Sequence, residues 1–335
     1  MKVFAPGKLI LSGEHSVLYG KPALAMAVDR YVIATTKPQT GQLISFDLSD
    51  LNYERGLTVS SLERLKDRIK EKYHRFLQGD FKIRDVLQKP FELAQFAMSL
   101  CLEILNVKLT QGMQIHLQST IPIGCGMGSS AATILSIIHA VTQHVDMNLS
   151  KEAIYQLGLE AENVQHGRSS GLDLQVSLYG GCRYLKEAHI YPRPLPTLPL
   201  FLVNTGTPQS STGECVSQAA TYFKTSSIAE DFAAITNAMD AAINQQTSIL
   251  NLIRENHQLL IQIGVVPASV QRFIADVEQM GGAAKVCGAG SVSGEQAGVL
   301  LVMLEDEAAL RKTCDNYHYS ILPIQGEARG VHVVV

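Results

Sequence analysis

The stretch Pro122-Ile123-Gly124-Cys125-Gly126-Met127-Gly128-Ser129-Ser130-Ala131-Ala132 joins an alternating segment to an apolar helical run, and its reading decides the fold. Upstream, Met113, Ile115 and Leu117 alternate with Gln114, His116 and Gln118, the period of a strand with one buried face. Downstream, Ser129 to His144 has a helical apolar pattern. Glycines at alternate positions let a backbone turn tightly and approach a ligand closely. Ser129 and Ser130 open the helix, where free N–H groups and the macrodipole favour an anion. Such a junction can cradle the phosphates of a nucleotide, and it fits equally a tight turn with a serine cap. The loop is no Walker motif, since GxxxxGK[ST] does not occur. Protein-kinase signatures are also missing from the chain.

Outward from this loop the chain reads as mixed helices and strands, so α+β is the base expectation. Lys2 to Phe4 and Leu9 to Ser12 read as short strands around a Pro6-Gly7 break, and Ala23 to Thr36 as either helix or strand. Leu62 to Phe76 is a surface amphipathic helix, and Phe91 to Leu105 a buried one. Ser150 is a good N-cap for a helix running to about Gln165. Four prolines between Tyr191 and Pro199 suggest a rigid connector, and the domain boundary is placed there. Beyond it come a strand over Leu200 to Val203, three long helices, a second glycine cluster in Lys285 to Gly294, and strands over Gly298 to Leu304 and Val331 to Val335.

Composition excludes several classes. The 335 residues are 46% hydrophobic and 18% charged, with a net charge of −3. That is ordinary globular composition and favours neither nucleic acid nor an anionic membrane as a partner. No signal peptide or membrane-length apolar run is evident. The six cysteines form no CxxC pair, which reads as buried thiols in a reducing cytoplasm.

Three further groups could carry chemistry. Glu160, Glu162, His166 and Asp173 surround a Gly-Arg-Ser-Ser-Gly turn; one carboxylate could bind Mg²⁺ and another accept a proton from a hydroxyl. A solvated helix face with a turn-forming Asp is the plainer reading. Lys8 could offset charge on a transferring phosphoryl group, or be an exposed loop lysine. The segment KVCGAGSVSG from Lys285 could form a second backbone nest or a sheet-edge turn.

In this order the motifs resemble the GHMP kinase superfamily. Ala5 to Leu24 (APGKLILSGEHSVLYGKPAL), Pro122 to Ala132 (PIGCGMGSSAA) and Lys285 to Gly290 (KVCGAG) carry the match. Within the superfamily the mevalonate kinases are most similar, through Gly13-Glu14-His15, through Glu162 with His166-Gly167, Ser170-Gly171 and Asp173, and through Asn204 to Thr212. The resemblance implies a two-domain α+β fold, with a ribosomal protein S5 domain 2-like N-terminal domain (1–190) and a ferredoxin-like C-terminal domain (191–335). It implies ATP-dependent phosphorylation of the primary hydroxyl of mevalonate, in isoprenoid precursor synthesis. Asp173 would be the base and Lys8 its electrostatic assistant. Pro122, Gly124, Gly126, Gly128, Ser129, Ser130 and Ala131 would hold ATP, and Ser130 and Glu162 would hold Mg²⁺. Glu14, His15, Thr212, Gly288 and Ala289 would face the substrate. A cytoplasmic enzyme is implied, and a homodimer is compatible with it.

The chain departs from the family pattern in places. Ser169 replaces a common proline, Gln209 a common arginine, and Ser291-Val292-Ser293 further glycines. Arg168 is a cation where a neutral residue is usual, which raises phosphomevalonate kinase as an alternative. A non-catalytic metabolite sensor on the same fold is the alternative from another class.

Overall fold

The computed structural model describes residues 1–48, 53–107, 109, 111–122, 126–187, 189–196 and 199–334. Ile123, Gly124 and Cys125 of the expected phosphate loop, and Val335 of the last expected strand, lie outside the described residues. The first part of the chain runs β1 (Lys2–Ser12), β2 (Ala23–Gln39), β3 (Ile44–Leu48), β4 (Tyr53–Leu57), α1 (Val59–Leu77), α2 (Glu92–Leu105), β5 (Gly112–Ser119), α3 (Ser129–His144), α4 (Lys151–His166), α5 (Leu172–Tyr179), β6 (Cys182–Lys186) and β7 (His189–Arg193). It continues with β8 (Leu200–Asn204), α6 (Thr212–Thr225), α7 (Ile228–Asn244), α8 (Leu250–Gln262), α9 (Ala268–Gln279), β9 (Ala283–Val286), β10 (Val299–Met303), α10 (Glu307–Tyr317), β11 (Ser320–Ile324) and β12 (His332–Val334).

These strands make two sheets, and the fold is α+β. The larger has the order β12-β1-β2-β5-β3-β4, with β6 on β2 and β7 on β6. The smaller is β11-β8-β10-β9, antiparallel throughout. Apolar residues of α2 and α3, among them Phe96, Ile134, Leu135 and Ile138, are buried with those of β1, β2 and β5 in one core. Phe201, Phe232, Phe273 and Val302 centre a second core around the smaller sheet. No helix among the described residues is long and apolar enough to cross a membrane.

Several differences from the sequence reading have physical causes. The Pro6-Gly7 break is a register shift inside one strand, because β2 bulges by two residues between the partners of Pro6 and Gly7. Ala23 to Thr36 is strand, paired with β1 on one side and with β5 and β6 on the other. The expected connector begins as strand: Tyr191, Pro192 and Arg193 belong to β7. Pro192 is tolerated because β7 is an edge strand, pairing only with β6 among the described residues. α6 was not anticipated, although Ser211 and Glu214 form a capping box at its start. β12 lies at the far end of the chain yet pairs with β1.

Candidate active site

Lys8 sits within β1 just past the register shift and is 6% exposed, so it is no loop lysine. Its backbone N–H donates to the Met127 carbonyl at 2.9 Å, fastening β1 to the glycine segment before α3. Its ammonium lies 3.3 Å from the carboxylate of Asp173. Asp173 stands in the first turn of α5, where helix N–H groups favour a negative charge. Gly128 explains how the loop comes this close. It is the left-handed N-cap of α3 (φ 70°), and a Cβ there would meet Lys8 Cγ at 2.7 Å and Asp173 Oδ2 at 3.6 Å. Glycine thus satisfies a backbone and a packing requirement at once.

A second carboxylate lies behind this pair. Glu162, on the last turn of α4, is 2% exposed and has its pKa pushed up to about 7, by burial first and then by the negative charge of Asp173. The Ser169 hydroxyl donates to its Oε2. The same hydroxyl accepts from the Gly171 N–H at 3.0 Å, and the Ser169 N–H donates to Asn163 Oδ1 at 2.8 Å. A proline at 169 could make none of these side-chain bonds, so the departure noted in the sequence gives the turn its own bracing. On the facing helix, Ser130 Oγ is 3.4 Å from His166 Nε2. Ser129 is exposed at the start of α3, while Ala131 is buried beneath it.

The third motif block meets both of the others on the other side. Gly126 lies against Gly288, where an added Cβ would stand 3.5 Å from the Gly288 Cα. His15 donates from Nε2 to the Ala289 carbonyl at 3.1 Å, from a left-handed backbone (φ 59°). Burial lowers its pKa. Glu14, expected to face substrate, has its carboxylate against Lys285, both side chains 1% exposed or less. Thr212 is exposed as the first residue of α6. The segment before it is tied to the third block: the Ser210 N–H donates to Ser291 Oγ at 3.3 Å, and the Ser210 and Ser293 hydroxyls are 2.8 Å apart.

Beside Ser129 and Ser130 opens a largely apolar cavity of about 600 Å³. Arg84, Gln88, Lys89, Leu93, Thr133 and Gln165 are among its walls. None was singled out from the sequence. The signal was slight: a basic, proline-ended segment before an apolar helix carries no motif.

Residues 92–181 match the family described as GHMP kinases N terminal domain. The whole chain is similar in structure to a crystal structure of mevalonate kinase, with a TM-score of 0.81 at 23% identity, covering 98% of this chain and 100% of that one. The Methanococcus jannaschii mevalonate kinase gives a TM-score of 0.79 at 25% identity, covering 97% and 98%. In sequence the chain is 32% identical over 302 residues to the mevalonate kinase of Pyrococcus horikoshii, covering 85% of this chain and 84% of that protein. The chain belongs to the mevalonate kinase family of the GHMP kinases.

Proposed function

We propose that this protein transfers the γ-phosphoryl group of ATP to the primary hydroxyl of mevalonate, giving 5-phosphomevalonate and ADP. The observation that supports it most is the Lys8–Asp173 pair, 3.3 Å apart, at the glycine-lined entrance to α3. Asp173 accepts the hydroxyl proton as the alcohol oxygen bonds to phosphorus and the bond to the β-phosphate oxygen breaks. The Lys8 ammonium offsets the charge developing on the attacking oxygen and the phosphoryl group. N–H groups at the start of α3 hold the phosphates, and the adjoining cavity takes the base and ribose. Pro122, Gly126, Gly128, Ser129, Ser130 and Ala131 belong to that phosphate seat in this reading, with Gly124 assigned by resemblance alone.

The donor set fits Mg²⁺. Among the described residues no three acidic, His or Cys side chains group as a metal cage. Mg²⁺ nevertheless takes one or two protein oxygens with phosphates and water for the rest. Ser130 and Glu162 would be those two, and the bound ion would offset charge on the phosphates. His15, Gly288 and Ala289 would border the alcohol. Among the described residues five cysteines are buried and free of disulfides, which suits a cytoplasmic enzyme. A homodimer is carried by resemblance, and sedimentation of the purified protein tests it.

One observation favours phosphomevalonate instead: the exposed cation Arg168, two residues past His166. The deciding experiment is ADP release under one Mg-ATP concentration with mevalonate, phosphomevalonate, galactose and homoserine. Preference for mevalonate is expected. Preference for phosphomevalonate would transfer the assignment, and no release with any alcohol would leave a binding protein.

A further inference from the structure

One buried ion pair lies outside the chemistry above. Lys285, on β9, is fully buried. Its ammonium donates to the Glu14 carboxylate, to the Ile10 carbonyl at 3.3 Å and to the Val286 carbonyl at 3.2 Å. Ile10 lies two residues beyond Lys8 on β1, and Val286 two residues before Gly288. One ammonium therefore ties the strand that carries Lys8 to the root of the third glycine loop. That loop lies against Gly126, and its Ala289 carbonyl receives His15.

The cluster is a poor device for stability. Desolvating both charges of a buried pair offsets much of their attraction. Among the described residues Glu14 Oε2 has no partner, and on α8, which packs against β9, neither do His257 Nδ1 and both amide atoms of Asn256. Orphaned buried polar atoms are costly. What the arrangement supplies is geometry, since the ammonium on β9 joins the Ile10 carbonyl of β1 and the Glu14 side chain just beyond that strand.

We infer that Lys285, with Glu14 as its counter-charge, is a positioning residue for phosphoryl transfer, holding the third glycine loop in register with Lys8. This rests on the kinase reading proposed above. Lys285→Met alone strands a buried carboxylate and is expected to be unstable. The decisive variant is Glu14→Leu/Lys285→Met, which removes both charges at similar volume. It is expected to fold with a melting temperature near that of the parent, to lose kcat on the order of 10²-fold, and to keep the KM for ATP within about threefold. A folded double variant with parental kcat would overturn the inference. Native-state hydrogen exchange on the unaltered protein supplies a second test. Residues 8–15 and 286–291 are expected to share one opening free energy, and separate openings would sink the proposal. This measurement needs neither substrate nor variant. A parent inert towards every alcohol would refute the kinase reading, and the exchange result would still decide whether Lys285 couples the two segments.

Discussion

In the proposed reaction Asp173 and Lys8 would divide one task between an acceptor of protons and a fixed positive charge, and each can be removed without removing the other's scaffold. Asp173→Asn keeps the size of the side chain and its place on α5. It is expected to bind ATP as the parent does while kcat falls by roughly 10²–10⁴; near-parental turnover would exclude Asp173 as the base. Lys8→Met is expected to lower kcat by roughly 10²–10³ with a small change in the KM for ATP. The reverse pattern in steady-state kinetics would make Lys8 a nucleotide anchor. Both residues were legible in the sequence as types in a pattern. Their 3.3 Å separation was not, because they stand 165 positions apart in the chain and only the sheet and α5 close that gap.

The entrance to α3 carries the proposed phosphate seat and also packs against Lys8. Gly128→Ala places a methyl group 2.7 Å from Lys8 Cγ on a left-handed backbone. It is expected to cost about 1–2 kcal/mol of stability and at least tenfold in kcat, a larger loss than the strain itself explains; thermal melts and initial rates check the two separately. One turn into the same helix, Thr133 lines the adjoining cavity without being fully buried. Thr133→Phe is expected to raise the KM for ATP at least tenfold and leave that for the alcohol within about twofold. An unchanged ATP KM would place the base elsewhere. The α3 helix was plain from its apolar period, and Ser150 as the cap of α4 from its residue type; its hydroxyl accepts from the Ala153 N–H at 3.1 Å. α6 escaped notice because its apolar positions are sparse and its capping box overlaps residues read for substrate contact.

Across the whole molecule, the junction of the two sheets sets a pH response. His257 is 2% exposed, and its pKa falls from 6.5 to about 4, chiefly through burial and then through the charge of Lys285. The unfolded chain therefore binds the proton first as pH drops. The stability held by a neutral His257 is complete above pH 6.5 and is lost as pH falls towards 4, a span worth on the order of 3 kcal/mol. His257→Gln is expected to flatten this part of the pH dependence of melting between pH 7 and 4.5. An unaltered slope in calorimetry would show that the imidazole is not held neutral.

By itself the sequence determined the local grammar of this protein: the strand–glycine loop–helix junction, the principal amphipathic and buried helices, and the residue types a phosphotransferase needs. These depend on periodicity, capping and glycine, which act over a few residues. Only the tertiary structure decided that β12 returns to pair with β1, that Lys8 is buried beside Asp173, that Ser169 braces Glu162, and that Glu14 is bound to Lys285. Each of these is a contact between segments distant in the chain, set by how the two sheets pack and which polar groups that packing strips of water.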